Sequence, residues 1–151
     1  NVDAATLFYY NAIGVTPAMA VTRPGVGSDY GLLSIDSEKR ALDGSKTYRL
    51  TLPPNVPVKD FWAVTIDDTQ TRSQLQTNQQ FPTVGSQTEG MQKNADGSYD
   101  IYFAPEPPEG KEGNWLQTIP GKSWLIILRM YGPEQAWIDK TWRPGEIELL
   151  D

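Results

Sequence analysis

The 151-residue sequence contains no cysteine and no histidine. Their absence excludes Ser-His-Asp and Cys-His nucleophile chemistry, and it excludes metal sites built from thiolates or imidazoles. It also excludes disulfides, so cysteine usage says nothing about the compartment in which the protein works. We therefore expect no metal site and no cofactor, and any acid–base catalysis at neutral pH would depend on Asp and Glu.

An excess of basic charge is lacking as well. Thirteen Lys and Arg against nineteen Asp and Glu give a formal net charge of −6 and a pI of about 4.6. Proteins that bind nucleic acid or anionic membrane surfaces usually carry a basic stripe, whereas here the cations are scattered. No apolar run approaches the roughly 20 residues that a membrane-spanning helix needs. We predict neither a nucleic-acid partner nor a membrane span.

The apolar residues that are present occur in short runs between 12 prolines and 13 glycines. The longest run, from Lys122 to Tyr131, is apolar at both odd and even positions, and Phe61–Ile66 is similar. Because successive side chains of a strand point to opposite faces, each run reads as a strand covered on both sides. We expect the two strands to be neighbours in the centre of the fold, with Trp62 and Trp124 inside.

The remaining pattern predicts one mainly β domain over residues 1–151, an antiparallel β-sandwich with a short N-terminal helix. The helix would start after Asp3, an N-cap residue, and end at Gly14. We expect Tyr30–Ile35 and Lys46–Leu52 to form a hairpin with a long loop. Further strands are expected from Tyr99 to Phe103, from Asn114 to Thr118 and from Glu146 to Leu149, with one helical turn at Pro133–Ile138.

Polar residues follow the Phe61–Ile66 strand and form the first candidate site: Asp67, Asp68, Gln70 and Arg72. Adjacent carboxylates point to opposite faces of a strand, so Asp67 and Asp68 do not form a local catalytic pair. A structural ion pair of either carboxylate with Arg72 or Arg129 is the favoured interpretation. The alternative is a site for a sugar or a carboxylate ligand, which hydroxyl, amide and guanidinium groups would suit.

Arg129 is the lone charge of the central strand, and a buried charge needs a partner. We favour a core ion pair or a strand-end position over a ligand clamp. Three tryptophans near loops, with Gln117 close by, are candidates for a stacking platform or an interface: Trp115, Trp137 and Trp142. The ligand-binding candidates are thus Asp67, Asp68, Gln70, Arg72, Trp115, Gln117, Arg129 and Trp142.

Four segments resemble the bacterial domain-of-unknown-function family 1214. They are LFYYNAIGVTPAM, LPPNVPVKDFWAVTIDDTQTRSQLQT, NADGSYDIYFAPEPPEGKEGNWLQTIPGKSWLIILRMYGP and DKTWRPGEIE. The resemblance implies a jelly-roll-like β-sandwich, usually the C-terminal part of a longer protein behind a companion domain of family 1254. It also implies a periplasmic or extracellular location, and it brings no established catalytic residues.

Three functional hypotheses follow. The first is a non-catalytic interaction module of a bacterial envelope protein, with a companion N-terminal domain, a second copy of itself or a glycan as partner. The second is a carboxylate-based hydrolase acting on carbohydrate. The third is a structural jelly roll that assembles through exposed strand edges.

Overall fold

Eight strands form two four-stranded sheets that face each other in a computed structural model, which describes Asp3, Ala5, Thr6 and residues 21–150. The strands are β1 (Ser28–Leu33), β2 (Tyr48–Leu52), β3 (Val58–Asp68), β4 (Thr83–Gly85), β5 (Tyr99–Ala104), β6 (Trp115–Gln117), β7 (Trp124–Pro133) and β8 (Ile147–Leu149). A 3-10 turn at Glu112–Asn114 precedes β6, and a single helical turn, α1 (Gln135–Ile138), follows β7.

The first sheet has the order β1-β7-β3-β4, and all of its pairs are antiparallel. β3 and β7 share the longest ladder, in which Trp62 lies opposite Met130 and Ile66 opposite Ile126. The prediction that the two most apolar strands are neighbours is confirmed. β3 continues through Asp68, so the candidate aspartates belong to the strand and do not follow it.

The second sheet has the order β6-β5-β2-β8. β5 and β6 are parallel, so this sheet is mixed and not purely antiparallel. The predicted hairpin of Tyr30–Ile35 with Lys46–Leu52 is wrong, because β1 pairs with β7 whereas β2 pairs with β5 and β8. The connecting chain turns at Asp36, whose carboxylate accepts hydrogen bonds from the backbone and the guanidinium of Arg40, and then crosses to the other sheet.

The core between the sheets is centred on Trp124, which is fully buried. Its ring stacks on Phe103 of the second sheet, with ring centroids 4.9 Å apart, and meets the edge of Tyr48 at 5.6 Å. Trp62 makes a similar edge contact with Tyr99 across the sheets, at 5.2 Å. Aromatic pairs of this kind are favourable beyond the area they bury. The prediction that Trp62 and Trp124 are inside is confirmed.

The short N-terminal helix is not supported. Most of the stretch in which it was predicted lies outside the described residues, and the helix with described bounds is the single turn at Gln135–Ile138. A β-sandwich is what the described strands establish, and its assignment as a jelly roll stays a prediction. No helix within the described residues is long and apolar enough to cross a bilayer.

We expect Trp124→Ala to lower the free energy of unfolding by about 3–5 kcal/mol, the usual cost of truncating a buried indole. Trp124→Phe should cost less, because it keeps the ring contacts and removes an indole N–H that has no hydrogen-bond partner. Urea unfolding followed by circular dichroism measures both variants. A loss below about 1 kcal/mol for Trp124→Ala would contradict the central role of this ring.

Candidate functional site

The two outer faces of the sandwich differ in chemistry. On the second sheet several outward side chains are polar and pair with one another. Arg49 forms a salt bridge with Glu148 at 2.5 Å, and Thr51 donates to Asp100 at 2.6 Å. Polar outward side chains of this kind are typical of a sheet face that meets water.

The outward side chains of the first sheet form what we call the outer apolar face: Tyr30, Leu32, Phe61, Ala63, Leu125, Ile127 and Tyr131. Phe61 and Tyr131 stack with ring centroids 4.1 Å apart. Leu32 is 72% exposed and Tyr30 is 51% exposed. The other described strands lie in the second sheet, on the opposite side. Leu125, on the same face, is only 8% exposed, so the open part of the face lies toward β1.

Three polar side chains sit among these apolar ones, and we call them the polar trio: Thr65, Asp67 and Arg129. Thr65 is 4% exposed and Asp67 is 9% exposed. Thr65 Oγ1, Asp67 Oδ1 and Arg129 Nε are buried and have no hydrogen-bond partner among the described residues. Together they offer a hydroxyl, a carboxylate acceptor and a guanidinium donor on one sheet face.

Burial raises the pKa of Asp67, and the nearby Arg129 guanidinium offsets part of that rise. Arg129 is half-buried, its guanidinium carbon lies 5.9 Å from the centroid of the Tyr30 ring, and it forms no salt bridge with a described carboxylate. Asp67 and Arg129 are thus close enough to interact electrostatically, but they do not form the direct ion pair that was expected.

Asp68 points to the other face and holds a turn together. Its carboxylate accepts from Lys122 Nζ at 2.6 Å and from the backbone N–H of Gln70 at 2.7 Å. These bonds, led by the one from Lys122, lower the pKa of Asp68. Arg72 closes the turn in the left-handed region (φ 60°), and its N–H donates to the Asp68 carbonyl. In the described structure these three candidates serve the turn.

We expect Asp67→Asn and Asp68→Asn to change stability with opposite dependence on pH. A raised folded-state pKa means that ionised Asp67 costs stability. The free energy of unfolding of Asp67→Asn should therefore increase relative to that of the wild type as the pH rises above about 4. A lowered pKa means that ionised Asp68 contributes stability, so Asp68→Asn should be destabilising at pH 7 and lose that penalty below about pH 4.

Urea unfolding of both variants and the wild type between pH 3 and pH 7 measures the two trends. Each variant is the matched control for the other, because the two positions are adjacent and the substitution is the same. Parallel trends would contradict the assignment of the two carboxylates to different environments.

Trp115 and Gln117 lie on β6 and are engaged by the polypeptide itself. Trp115 Nε1 donates to the Ala104 carbonyl at 2.9 Å. Gln117 accepts from Asn78 N and donates to the Pro105 carbonyl. These contacts fix the long segment after β3 to the second sheet and leave the two candidates little freedom to bind a ligand.

That segment forms one wall of an open polar cleft of about 1060 Å³. The cleft walls carry mostly amide and hydroxyl side chains, among them Gln74, Gln76, Thr77 and Gln80. Phe81 follows directly in the chain and is 76% exposed. The cleft is a second location for a neutral, polar ligand.

Trp142 lies in a third location, beside Trp137 of α1, with ring centroids 6.2 Å apart. Trp137 rests on β1 where Gly31 has no side chain, since an added Cβ there would lie 3.2 Å from the indole ring. Its Nε1 donates to Asp29 Oδ2 at 2.8 Å. The two indoles form one wall of a groove of about 820 Å³ along the edge of β1.

The eight candidates from the sequence therefore fall in four places and do not converge on one site. Within the described ranges, no group of three carboxylates is placed to hold a metal ion. Thr65 was missed, because a threonine in an apolar strand gives no signal of its own. Its position two residues before Asp67 was the available clue, since residues at that spacing share a strand face.

The sequence profile of one family, described as "Protein of unknown function (DUF1214)", matches residues 27–135. No curated protein matches the chain. Two solved structures are similar. The VPA0106 protein from Vibrio parahaemolyticus is 28% identical to this chain, with a TM-score of 0.72. The match covers 86% of this chain and 32% of the Vibrio protein.

An uncharacterised protein from Burkholderia cenocepacia shares 18% identity with a TM-score of 0.50, covering 85% of this chain and 36% of its own. At that identity the likeness concerns the fold alone. The chain spans about a third of the length of both structures.

Proposed function

The chain belongs to the family described as "Protein of unknown function (DUF1214)", and on that premise we propose that it is a non-catalytic β-sandwich interaction module. Its partner is a companion domain of a longer bacterial polypeptide, seated on the outer apolar face. The envelope location belongs to the same proposal and comes from the family resemblance.

The observation that carries the proposal is the contrast between the two outer faces. The second sheet presents charges that pair with each other, such as Arg49 with Glu148. The first sheet presents exposed Leu32 and Tyr30 beside the stacked pair of Phe61 and Tyr131. A contiguous apolar surface of this kind usually marks an interface.

The polar trio does not carry the docking. Thr65 Oγ1, Asp67 Oδ1 and Arg129 Nε are already buried in this chain, so they are not open to the hydrogen-bonding groups of a partner. The proposal rests on the exposed apolar side chains of the face.

A companion in the same polypeptide fits the length of the solved relatives, of which this chain matches about a third. A partner held by the same chain has a high effective concentration, so a modest face is enough for stable docking. A second copy of the chain and a separate protein are the competing occupants.

The 151-residue chain has no cysteine, so an introduced thiol is the only one in it, and any cysteines of the complete polypeptide are replaced by serine for the test. Ala63→Cys places one thiol on the outer apolar face, and Thr51→Cys places one on the polar outer face of the second sheet. In the complete native polypeptide, Ala63→Cys should react with a maleimide at least about tenfold more slowly than in the 151-residue chain alone. Thr51→Cys should react equally in both.

Equal rates for Ala63→Cys in the two polypeptides would overturn the proposal. Protection that instead rises with the concentration of the isolated chain would assign the face to a second copy, and it would also overturn the companion-domain version. Sedimentation equilibrium of the isolated chain separates these two outcomes.

A glycan is the second candidate partner, and the polar cleft is the observation that favours it. Its exposed amides, such as Gln76 and Gln80, suit the hydroxyl groups of a sugar. The hydrolase hypothesis has no comparable support, because Asp67 and Asp68 point to opposite faces.

If a glycan binds the cleft, Gln76→Ala combined with Gln80→Ala should weaken binding by about three- to tenfold, in line with the loss of hydrogen bonds from the lining. Binding is measured on a glycan array and then by calorimetry with any oligosaccharide that scores. Leu32→Ala, which removes an exposed apolar side chain outside the cleft, is the control. If no oligosaccharide binds the wild type, the glycan version fails.

A further inference from the structure

The groove along the edge of β1, which we call the edge groove, gathers exposed apolar side chains. Seven large apolar residues among the described ones are exposed, and three of them line this groove: Tyr30, Leu32 and Ile35. Trp137 and Trp142 line it as well. Its volume of about 820 Å³ lies within the range of small-molecule sites, whose walls are mostly apolar.

The charged residues that line the edge groove balance one another in number. They are three cations and three carboxylates: Lys39, Lys140 and Arg143 with Asp29, Asp36 and Glu146. The three cations are exposed to solvent, and water weakens the attraction between such charges and a ligand. The lining therefore has no net charge with which to select a ligand of either sign.

The hydrogen-bonding groups of the tryptophan wall are engaged within the protein. Trp137 Nε1 donates to Asp29 Oδ2 at 2.8 Å, and Trp142 Nε1 donates to the Pro54 carbonyl at 3.2 Å. An indole has one N–H group and no acceptor. The two indoles therefore offer a ligand their ring carbons and no further donor.

The fold holds this wall in place without a ligand. Asp29 and Gly31 lie two residues apart and share one face of β1. Asp29 accepts the N–H of Trp137, and an added Cβ at Gly31 would lie 3.2 Å from the same indole ring. Trp142 packs beside it, with ring centroids 6.2 Å apart. A wall fixed in this way loses little conformational freedom when it meets a ligand.

We propose that the edge groove binds an uncharged aromatic molecule, whose rings pack against Trp137 and Trp142 and cover the exposed side chain of Ile35. Aromatic rings attract one another in offset-stacked and edge-to-face contacts beyond the area that they bury. A charged group on the ligand would gain little from a balanced, solvent-exposed rim. This site is separate from companion docking, although Tyr30 and Leu32 border both surfaces.

Two fluorescent probes that share their rings and differ in charge test the ligand class. N-Phenyl-1-naphthylamine is neutral, and 1-anilinonaphthalene-8-sulfonate carries the same rings with an anionic group. The isolated 151-residue chain should bind the neutral probe with one-to-one stoichiometry and at least as tightly as the anion. Energy transfer from tryptophan to the bound probe should be strong, because two indoles line the groove.

Nuclear magnetic resonance of the wild type locates the bound neutral probe. The chain has five tryptophans and therefore five indole N–H signals, of which Trp137→Phe and Trp142→Phe assign the two that belong to the groove. The ring current of the probe should shift these two signals. It should leave the other three unchanged, since none of the other tryptophans lines the groove.

Ile35→Asn should weaken binding of the neutral probe by about three- to tenfold, because it removes part of the apolar surface that the rings would cover. Ile35 is 50% exposed and is not part of the outer apolar face, so this variant reports on the groove alone. Phe81→Asn is the matched control, at an apolar residue that is 76% exposed outside the groove, and should leave the affinity unchanged. Lys39→Gln combined with Arg143→Gln should leave it unchanged as well.

A wild type that does not bind the neutral probe would overturn the proposal, as would tighter binding of the anion. Unshifted signals of Trp137 and Trp142 would place the probe elsewhere and overturn it too. Equal affinities of Ile35→Asn and Phe81→Asn would have the same consequence. None of these outcomes depends on the maleimide protection of Ala63→Cys, so the edge groove and the companion-docking proposal can fail separately.

Discussion

The packing of β7 between two environments is the constraint on which the rest of the structure depends. Its inward side chains, Trp124 among them, are sealed by the second sheet. Its outward side chains, such as Ile127 and Tyr131, are also apolar, and they lie on the side of β7 away from the second sheet. A strand that is apolar on both faces is typical of a sheet covered on both sides. The second sheet supplies one of these covers, and the outer apolar face lies on the other side of β7.

The same alternation separates two neighbouring carboxylates that the sequence presents as a pair. Asp68 follows the inward side chains of β3 and meets Lys122 at the end of the sandwich. Asp67 follows the outward side chains and is buried beside Arg129 without a direct partner. One residue of offset is enough to give the two acids pKa shifts of opposite sign. Chemistry that needs two cooperating carboxylates is therefore not available at this position.

Much of the sandwich could be predicted from local pattern, because strand period and turn residues are properties of short segments. The pairing could not. Whether Tyr30 joins Tyr48 or Arg129 depends on contacts about 100 residues apart, and the turn at Asp36 sends the chain to the other sheet instead of back on itself. The parallel pairing of β6 has the same origin. Local periodicity does not encode which sheet a strand enters.

The candidate residues were predicted less well, for a physical reason that Gln117 illustrates. An amide beside a loop tryptophan can form hydrogen bonds with a ligand or with the protein backbone. The Gln117 amide forms them with the backbone of Asn78 and Pro105. The edge of β1 shows the same competition. Asp29 accepts the N–H of Tyr30 at this edge, and a charge on an edge strand opposes pairing with another chain. Pairing of β1 with another strand at this edge is therefore disfavoured.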